Sequence, residues 1–283
     1  RAMPSKTTAS PPDRRPITAY PRLLSGTLVL ITAAIALGWL ALTPPGLLGK
    51  ASAIGYAVCH RIAERSFHVH DQPLPLCARC TGIYLGVMIG LGMFAAQGRL
   101  RAAQLPPLRL LAAQLALAAT IAVDGLNSYL SLFEFYTPLY PPHNTLRLFT
   151  GLAAGTAMIT LALPVFSGTV WRAPARQAPV ASWRDLALLW GAALLSGLAV
   201  LSQQPAVLWL AGFVSAAGVL LMFALVGAVV FVSVTRREGT AQTWRDLALP
   251  GVAGLGFALA LIGGIDALRY ALTGTWDGFN LPG

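Results

Sequence analysis

Long blocks of apolar residues, broken by short polar connections, occupy almost the whole chain. At about 1.5 Å of rise per residue, a helix of roughly 20 apolar residues crosses a hydrocarbon core of about 30 Å. Residues 23–42 meet that length and form the first predicted span. Their apolar stretch is longer than a signal-peptide core and no small-residue cleavage site follows, so an uncleaved span is expected. Six further spans are predicted at 82–97, 108–130, 146–166, 185–202, 206–234 and 246–271. The second span is short, and the sixth is long enough to tilt or protrude. Residues 47–58 are apolar but too short to cross, and predict an interfacial or re-entrant helix. The fold class is an all-α integral membrane protein, a polytopic bundle of about seven transmembrane helices.

Composition sharpens this picture. The 283 residues are 56% hydrophobic and only 11% charged, against about 25% charged in soluble domains. A net charge of +10 would point to nucleic acid in a soluble protein. Here the basic residues flank apolar blocks, as membrane insertion predicts, so the expected partner is a lipid bilayer and not nucleic acid. Fourteen Lys and Arg fall on one side of the predicted spans and four on the other. The N-terminus is therefore expected in the cytoplasm, with the C-terminus outside the cytoplasmic (inner) membrane. The exceptions are Lys50, Arg61, Arg65 and Arg79, which lie on the side where basic residues are scarce. Residues 1–22, rich in Pro and basic residues, read as a disordered tail, with Met3 a candidate start unless the chain is a fragment. The expected organisation is a tail at 1–22, a first span at 23–46, a Cys/His unit with three spans at 47–166, and three further spans at 167–283.

The chemical signal is confined to residues 59–84: Cys59-His60-Arg61, then Arg65-Ser66-Phe67, then Cys77-Ala78-Arg79-Cys80-Thr81-Gly82-Ile83-Tyr84. All three cysteines of the chain lie in it. A C-x-x-C pair brings two sulfurs to one side of a turn, where they can chelate a soft metal or close a disulfide. A structural zinc site normally takes four ligands, which makes Cys59, His60, Cys77 and Cys80 the metal candidates, with His68, His70 or Asp71 in reserve. Adjacent Cys59 and His60 can aim at one ion only from an irregular turn. Alternatively, Cys77 and Cys80 cycle between dithiol and disulfide with Cys59 as resolving partner, or form a static disulfide. Thr81 stands where haem attachment would need His.

These residues resemble an uncharacterised family of prokaryotic predicted membrane proteins, a domain of unknown function. The resemblance rests on Cys-His, Arg-Ser-Phe and Cys-x-Arg-Cys-Thr-Gly-Ile-Tyr, and continues into Asp124-Gly125 and Asn144-Thr145-Leu146-Arg147. It covers about residues 50–160 and leaves the last three spans as an addition. Asn127 stands where the resemblance implies a Gln-like amide. The family carries no established activity, so the resemblance implies a bacterial or archaeal membrane protein and no reaction.

Polar residues inside spans are the second signal, because an unpaired charge in the bilayer is costly. Asp124 is expected to be buried and paired with Arg147, and Asp266 with Arg269 at i, i+3 on one helix face. Together with Arg61, Arg65, Arg79, Asn127 and Asn144, and the connection bearing Tyr136, Tyr140 and His143, they outline a polar pocket at the outer leaflet. Its arginines suit an anionic lipid or a phosphate-bearing ligand. Glycines at 82, 86 and 90, and at 151 and 155, mark faces for close helix approach, with the third span the expected neighbour of the second. Ser182-Trp183-Arg184-Asp185 recurs as Thr243-Trp244-Arg245-Asp246, two uses of one span-start signal. Three functions stay open: a zinc-stabilised binding or accessory module, a thiol–disulfide oxidoreductase passing electrons from Cys77 and Cys80 to a quinone, and a transporter using Asp124 and Arg147.

Overall fold

The computed structural model describes residues 20–131, 133 and 137–277. Expectations for residues 1–19 and for Tyr136 lie outside them. Among the described residues, seven helices are long and apolar enough to cross a membrane. They are α1 (Arg22–Leu42), α3 (Ala78–Ala96), α4 (Leu108–Leu130), α5 (Asn144–Val170), α6 (Trp183–Leu201), α7 (Pro205–Val234) and α8 (Ala248–Thr273), the last extended by a 3-10 turn at Trp244–Leu247. The short helix α2 (Gly46–Val58) precedes the Cys segment, as the short apolar stretch predicts. A 3-10 turn at Ala63–Arg65 and a two-stranded hairpin, β1 (His68–Val69) and β2 (Gln72–Pro73), lie between α2 and α3.

The bundle is organised around α5, the most buried span. Its partner across the tightest seam is α3, and the reason is the glycines. A Cβ at Gly82 or Gly86 would strike the backbone of Leu148 or Leu152, and one at Gly151 or Gly155 the backbone of Arg79 or Ile83. The two bare stripes therefore face each other, which lets the helix backbones touch. This corrects the expected pairing of the second span with the third: Gly82, Gly86, Gly151 and Gly155 join the second to the fourth. The α4 and α6 helices pack on α5, α7 packs on α3 and α8, and α1 lies against α8.

The recurring span-start signal is a helix cap in both places. Asp185 accepts from the backbone N–H of Ala181 and Ser182 (3.0 Å each), and Asp246 from those of Gln242 and Thr243 (2.9 Å each). The second copy begins as a 3-10 turn because Pro250, lacking an N–H, cannot donate to the carbonyl four residues back. Asp185 also pairs with Arg99 at 2.8 Å, tying the α3–α4 connection to α6. Tyr20, which falls within the expected tail, is buried. Its hydroxyl is 2.9 Å from Thr235 Oγ1, and the Arg237 guanidinium lies 3.9 Å over its ring. An aromatic ring with a partner for its hydroxyl packs even inside a polar, Pro-rich sequence.

Candidate metal centre and its polar surround

Helix α2 ends at Cys59, whose extended backbone leaves the helix axis, and the chain then turns at Arg61 with φ +50°. That left-handed residue is the irregular turn the Cys-His pair requires. It points the Arg61 N–H back at Cys59 Sγ (3.4 Å). The chain returns through the hairpin, and Cys77 caps the N-terminus of α3 with its own N–H also on Cys59 Sγ (3.4 Å). One turn on, Cys80 completes the group. The three Sγ atoms lie within 4.8 Å of one another, none is bridged, and Cys59 and Cys77 are buried. Gly55 makes the approach possible, since a Cβ there would collide with the Pro75 carbonyl just ahead of Cys77.

Tetrahedral zinc–sulfur bonds of about 2.3 Å place ligand sulfurs about 3.8 Å apart, so the group matches a thiolate metal site in scale. The two backbone N–H groups on Cys59 Sγ favour its thiolate, but less strongly than the neighbouring Cys77 sulfur opposes it. Hydrogen bonds from Cys59 and Cys80 hold the Cys77 thiol well below its ordinary pKa, while the bond to Cys77 pushes Cys59 up to about 12. His60 stands beside this group and not within it: Nδ1 is 3.8 Å from Cys59 Sγ, outside the set in which every ligand atom is mutually close. Burial lowers the pKa of His60, and Arg65, Arg79 and Arg147 lower it further, which keeps its imidazole neutral. His68, His70 and Asp71 sit exposed on the hairpin, away from the sulfurs.

The carbonyl end of α2 is clamped by α8. Arg269 Nη1 donates to the Tyr56 carbonyl (2.5 Å) and the Cys59 carbonyl (2.7 Å), with its guanidinium 3.9 Å over the Tyr56 ring. The Tyr56 hydroxyl bonds Thr275 O at 2.8 Å, and Arg61 donates to Trp276 O at 3.1 Å. This corrects the expected Asp266–Arg269 pair, because Asp266 accepts from Trp39 Nε1 instead (3.1 Å). The carbonyls at a helix C-terminus need donors, and Arg269 is long enough to supply them. Tyr56 and Trp276 carried no sequence signal beyond their aromatic character.

The polar surround begins at Arg79, in the first turn of α3. Its guanidinium pairs with Asp124 of α4, which is 1% exposed. Asp124 is thus buried and paired as expected, but with a different partner. Arg147, in the first turn of α5, donates instead to Asn144 Oδ1 (2.8 Å) and Ser128 Oγ (3.3 Å). The reason is the seam: glycine contact between α3 and α5 brings Arg79 close enough to reach past α5 to α4. Asn144 Nδ2 ties α5 to the Cys segment through Glu64 O (3.1 Å), and Asn127 holds the α4–α5 connection through Leu139 N and Tyr140 O (2.9 Å each). Tyr140 OH reaches Asp124 Oδ1 at 3.5 Å. Arg79 Nε and Arg147 Nε are buried with no partner among the described residues. A polar cavity of about 430 Å³, lined by Glu64, Ser66, His143, Asn144 and Arg147 among others, opens at this layer. Of the arginines proposed for an anion, Arg79 and Arg61 have protein partners, while Arg65 lies half-buried near the layer.

Residues 59–161 match the family model described as "Predicted membrane protein (DUF2085)". The match takes in all three cysteines, Asp124, Asn127, Asn144 and Arg147, and stops short of α6, α7 and α8. The chain is 30% identical over 120 residues to Uncharacterized protein MJ1492 of Methanocaldococcus jannaschii, covering 42% of this chain and 70% of that protein. An uncharacterized protein of Methanothermobacter thermautotrophicus is 32% identical over 108 residues, 37% of this chain and 83% of that protein. No solved structure matches. A chain that shares this much of two such relatives, and the family pattern across its Cys segment and three spans, belongs to the DUF2085 family of predicted membrane proteins.

Proposed function

We propose that Cys59, Cys77 and Cys80 bind one soft divalent ion, zinc, and that this centre shapes a binding or accessory module at the membrane surface. The observation that carries it is the convergence of three unbridged sulfurs within 4.8 Å, two of them buried, with two backbone N–H groups on one. His60 Nδ1, neutral and beside Cys59, is the protein group able to complete the set, and a water or bound ligand is the alternative fourth donor. When bound, zinc cross-links the end of α2 to the start of α3, and so holds Arg79 and the polar layer in place. Arg147, which lines the adjoining cavity with His143 and Asn144, suits an anionic lipid headgroup or a phosphate-bearing ligand there. The Lys/Arg asymmetry supports an extracytoplasmic position for this end; a reporter fused at Gly274 that stays cytoplasmic would reverse it.

A second reading is favoured by the same proximity. Cys77 and Cys80 are near enough to join, two thiols giving one disulfide with two protons and two electrons passed to a quinone, which becomes a quinol. The pair on which a transport reading rests, Asp124 with Arg147, is not formed.

Metal analysis and thiol counting on the full chain, purified in detergent without reductant, separate the two. One zinc per chain, with three thiols that react only after chelation, is the expected result. No metal together with two thiols recovered only on reduction would replace the metal reading with the redox one.

A further inference from the structure

A second site lies away from the cysteines, in the groove between α1 and α8. The two helices touch at Thr32, whose Oγ1 fills the space over Gly256, and diverge towards the other end, where Gly263 and Gly264 face α1. The opening is a cavity of about 620 Å³. Its walls are apolar along Ile35, Leu42 and Leu259, and aromatic at Trp39, Tyr270 and Trp276. One carboxylate, Asp266, lines it. Asp266 is 2% exposed; Oδ2 accepts from Trp39 Nε1, while Oδ1 has no hydrogen-bond partner among the described residues. The nearest cations already have backbone acceptors: Arg269, one turn on, donates to the α2 carbonyls, and Lys50, whose Nζ lies 5.9 Å over the Trp39 ring, is held at the end of α1 by Thr43 O and Thr43 Oγ1 (2.9 Å each).

A buried acceptor oxygen with no donor is costly in an apolar site, and here Trp39, Tyr270 and Trp276 line the same cavity as Asp266. Carboxylate and aromatic faces together recognise an organic cation: the carboxylate takes the charge and the ring quadrupoles the N–H or N–CH₃ groups. A hydroxyl could use the carboxylate but would gain nothing from the rings as a charge does. Trp39 lies within one turn of the end of α1, so the carboxylate is near the headgroup boundary, where an amphiphile presents its polar end while its chain lies in the groove. We propose that the α1–α8 groove binds an amphiphilic ammonium, its nitrogen on Asp266 Oδ1 and its alkyl chain between Ile35, Leu42 and Leu259. The source is an aminolipid of the bilayer or a free lipophilic amine.

The test uses tryptophan fluorescence of the full chain in nanodiscs of phosphatidylglycerol, titrated with decylammonium, decanol and decanesulfonate. Saturable binding of decylammonium at least tenfold tighter than the other two is expected. Asp266→Asn should remove that preference and Asp266→Glu largely keep it. Gly264→Leu, which faces open space and fills the groove without touching the carboxylate, should block binding while leaving the metal content at the cysteines unchanged. Equal binding of decanol, or full binding by Asp266→Asn or Gly264→Leu, would overturn the proposal. If nanodiscs of phosphatidylethanolamine compete with decylammonium, the natural source is an aminolipid; if they do not, it is a free amine. The site does not depend on the metal reading, since zinc content is read separately in every variant.

Discussion

Arg79 and Asp124 form an ion pair that joins the first turn of α3 to the C-terminal part of α4, one residue from the cysteine that completes the candidate metal centre. The pair spans the two helices past α5, so it fixes how the Cys end of α3 sits against the polar layer.

Removing Arg79 leaves Asp124 charged and buried, so Arg79→Gln should destabilise the protein by about 3–5 kcal/mol, the usual consequence of orphaning a buried charge; Asp124→Asn, which leaves a partly exposed Arg79, should destabilise it less. The double variant should be milder than the sum, measured by denaturant unfolding in detergent. Strict additivity would remove the pair as a stabilising unit. Arg147→Gln with Asp124→Asn, by contrast, should come closer to additive, because Arg147 bonds Ser128 and Asn144.

The glycine seam predicts a position-specific response. Gly155→Ala places a methyl against the Ile83 backbone, which cannot swing aside, and should cost about 1–3 kcal/mol. Gly125→Ala, in α4 with nothing within 4 Å, should be neutral or stabilise by up to about 1 kcal/mol through helix propensity. Equal effects at both positions in thermal unfolding would deny that α3 and α5 touch through their glycines.

Metal loading should depend on pH in one direction. The Cys59 thiol is pushed up to about 12, so it carries its proton at neutral pH and must lose it to ligate. Affinity should therefore rise with pH, by about tenfold per unit for each proton released. Cys77, already held low, contributes less to the slope. A competition titration with a zinc chelator at pH 6 and pH 8 reads the slope, and equal affinities at the two would exclude Cys59 as a ligand.

Much of this was legible in the sequence because a bilayer is a demanding solvent. Span length and apolar composition located seven crossing helices and the short α2, and confinement of the cysteines to one segment anticipated their meeting. The partners of the charged residues were not legible. Asp124 and Arg147 sit at facing ends of consecutive helices, and Asp266 and Arg269 at i, i+3, so both pairings satisfied local rules. Helix order around α5 decided otherwise: the glycine seam delivers Arg79 to Asp124, and α8 delivers Arg269 to the carbonyls of α2. Spacing along one helix does not report which helices become neighbours.

That last contact gives the final prediction. Arg269 lies outside the segment matched by the family model, yet it donates to the Cys59 and Tyr56 carbonyls and stacks on Tyr56. It touches no sulfur, so it acts by holding the end of α2 where Cys59 leaves the helix. Groups that orient a ligand from behind typically contribute 10–100-fold to metal affinity. Arg269→Gln should therefore weaken zinc binding by about that factor and speed alkylation of Cys59 in the metal-free protein. Arg269→Lys keeps one charged donor but loses the planar fork, and should fall between the two. Unfolding of each variant, followed in parallel, separates loss of the clamp from loss of the fold. Unchanged zinc affinity in a folded Arg269→Gln protein would show that the Cys59 turn holds itself. The three C-terminal spans would then be dispensable to the metal centre and not a support for it.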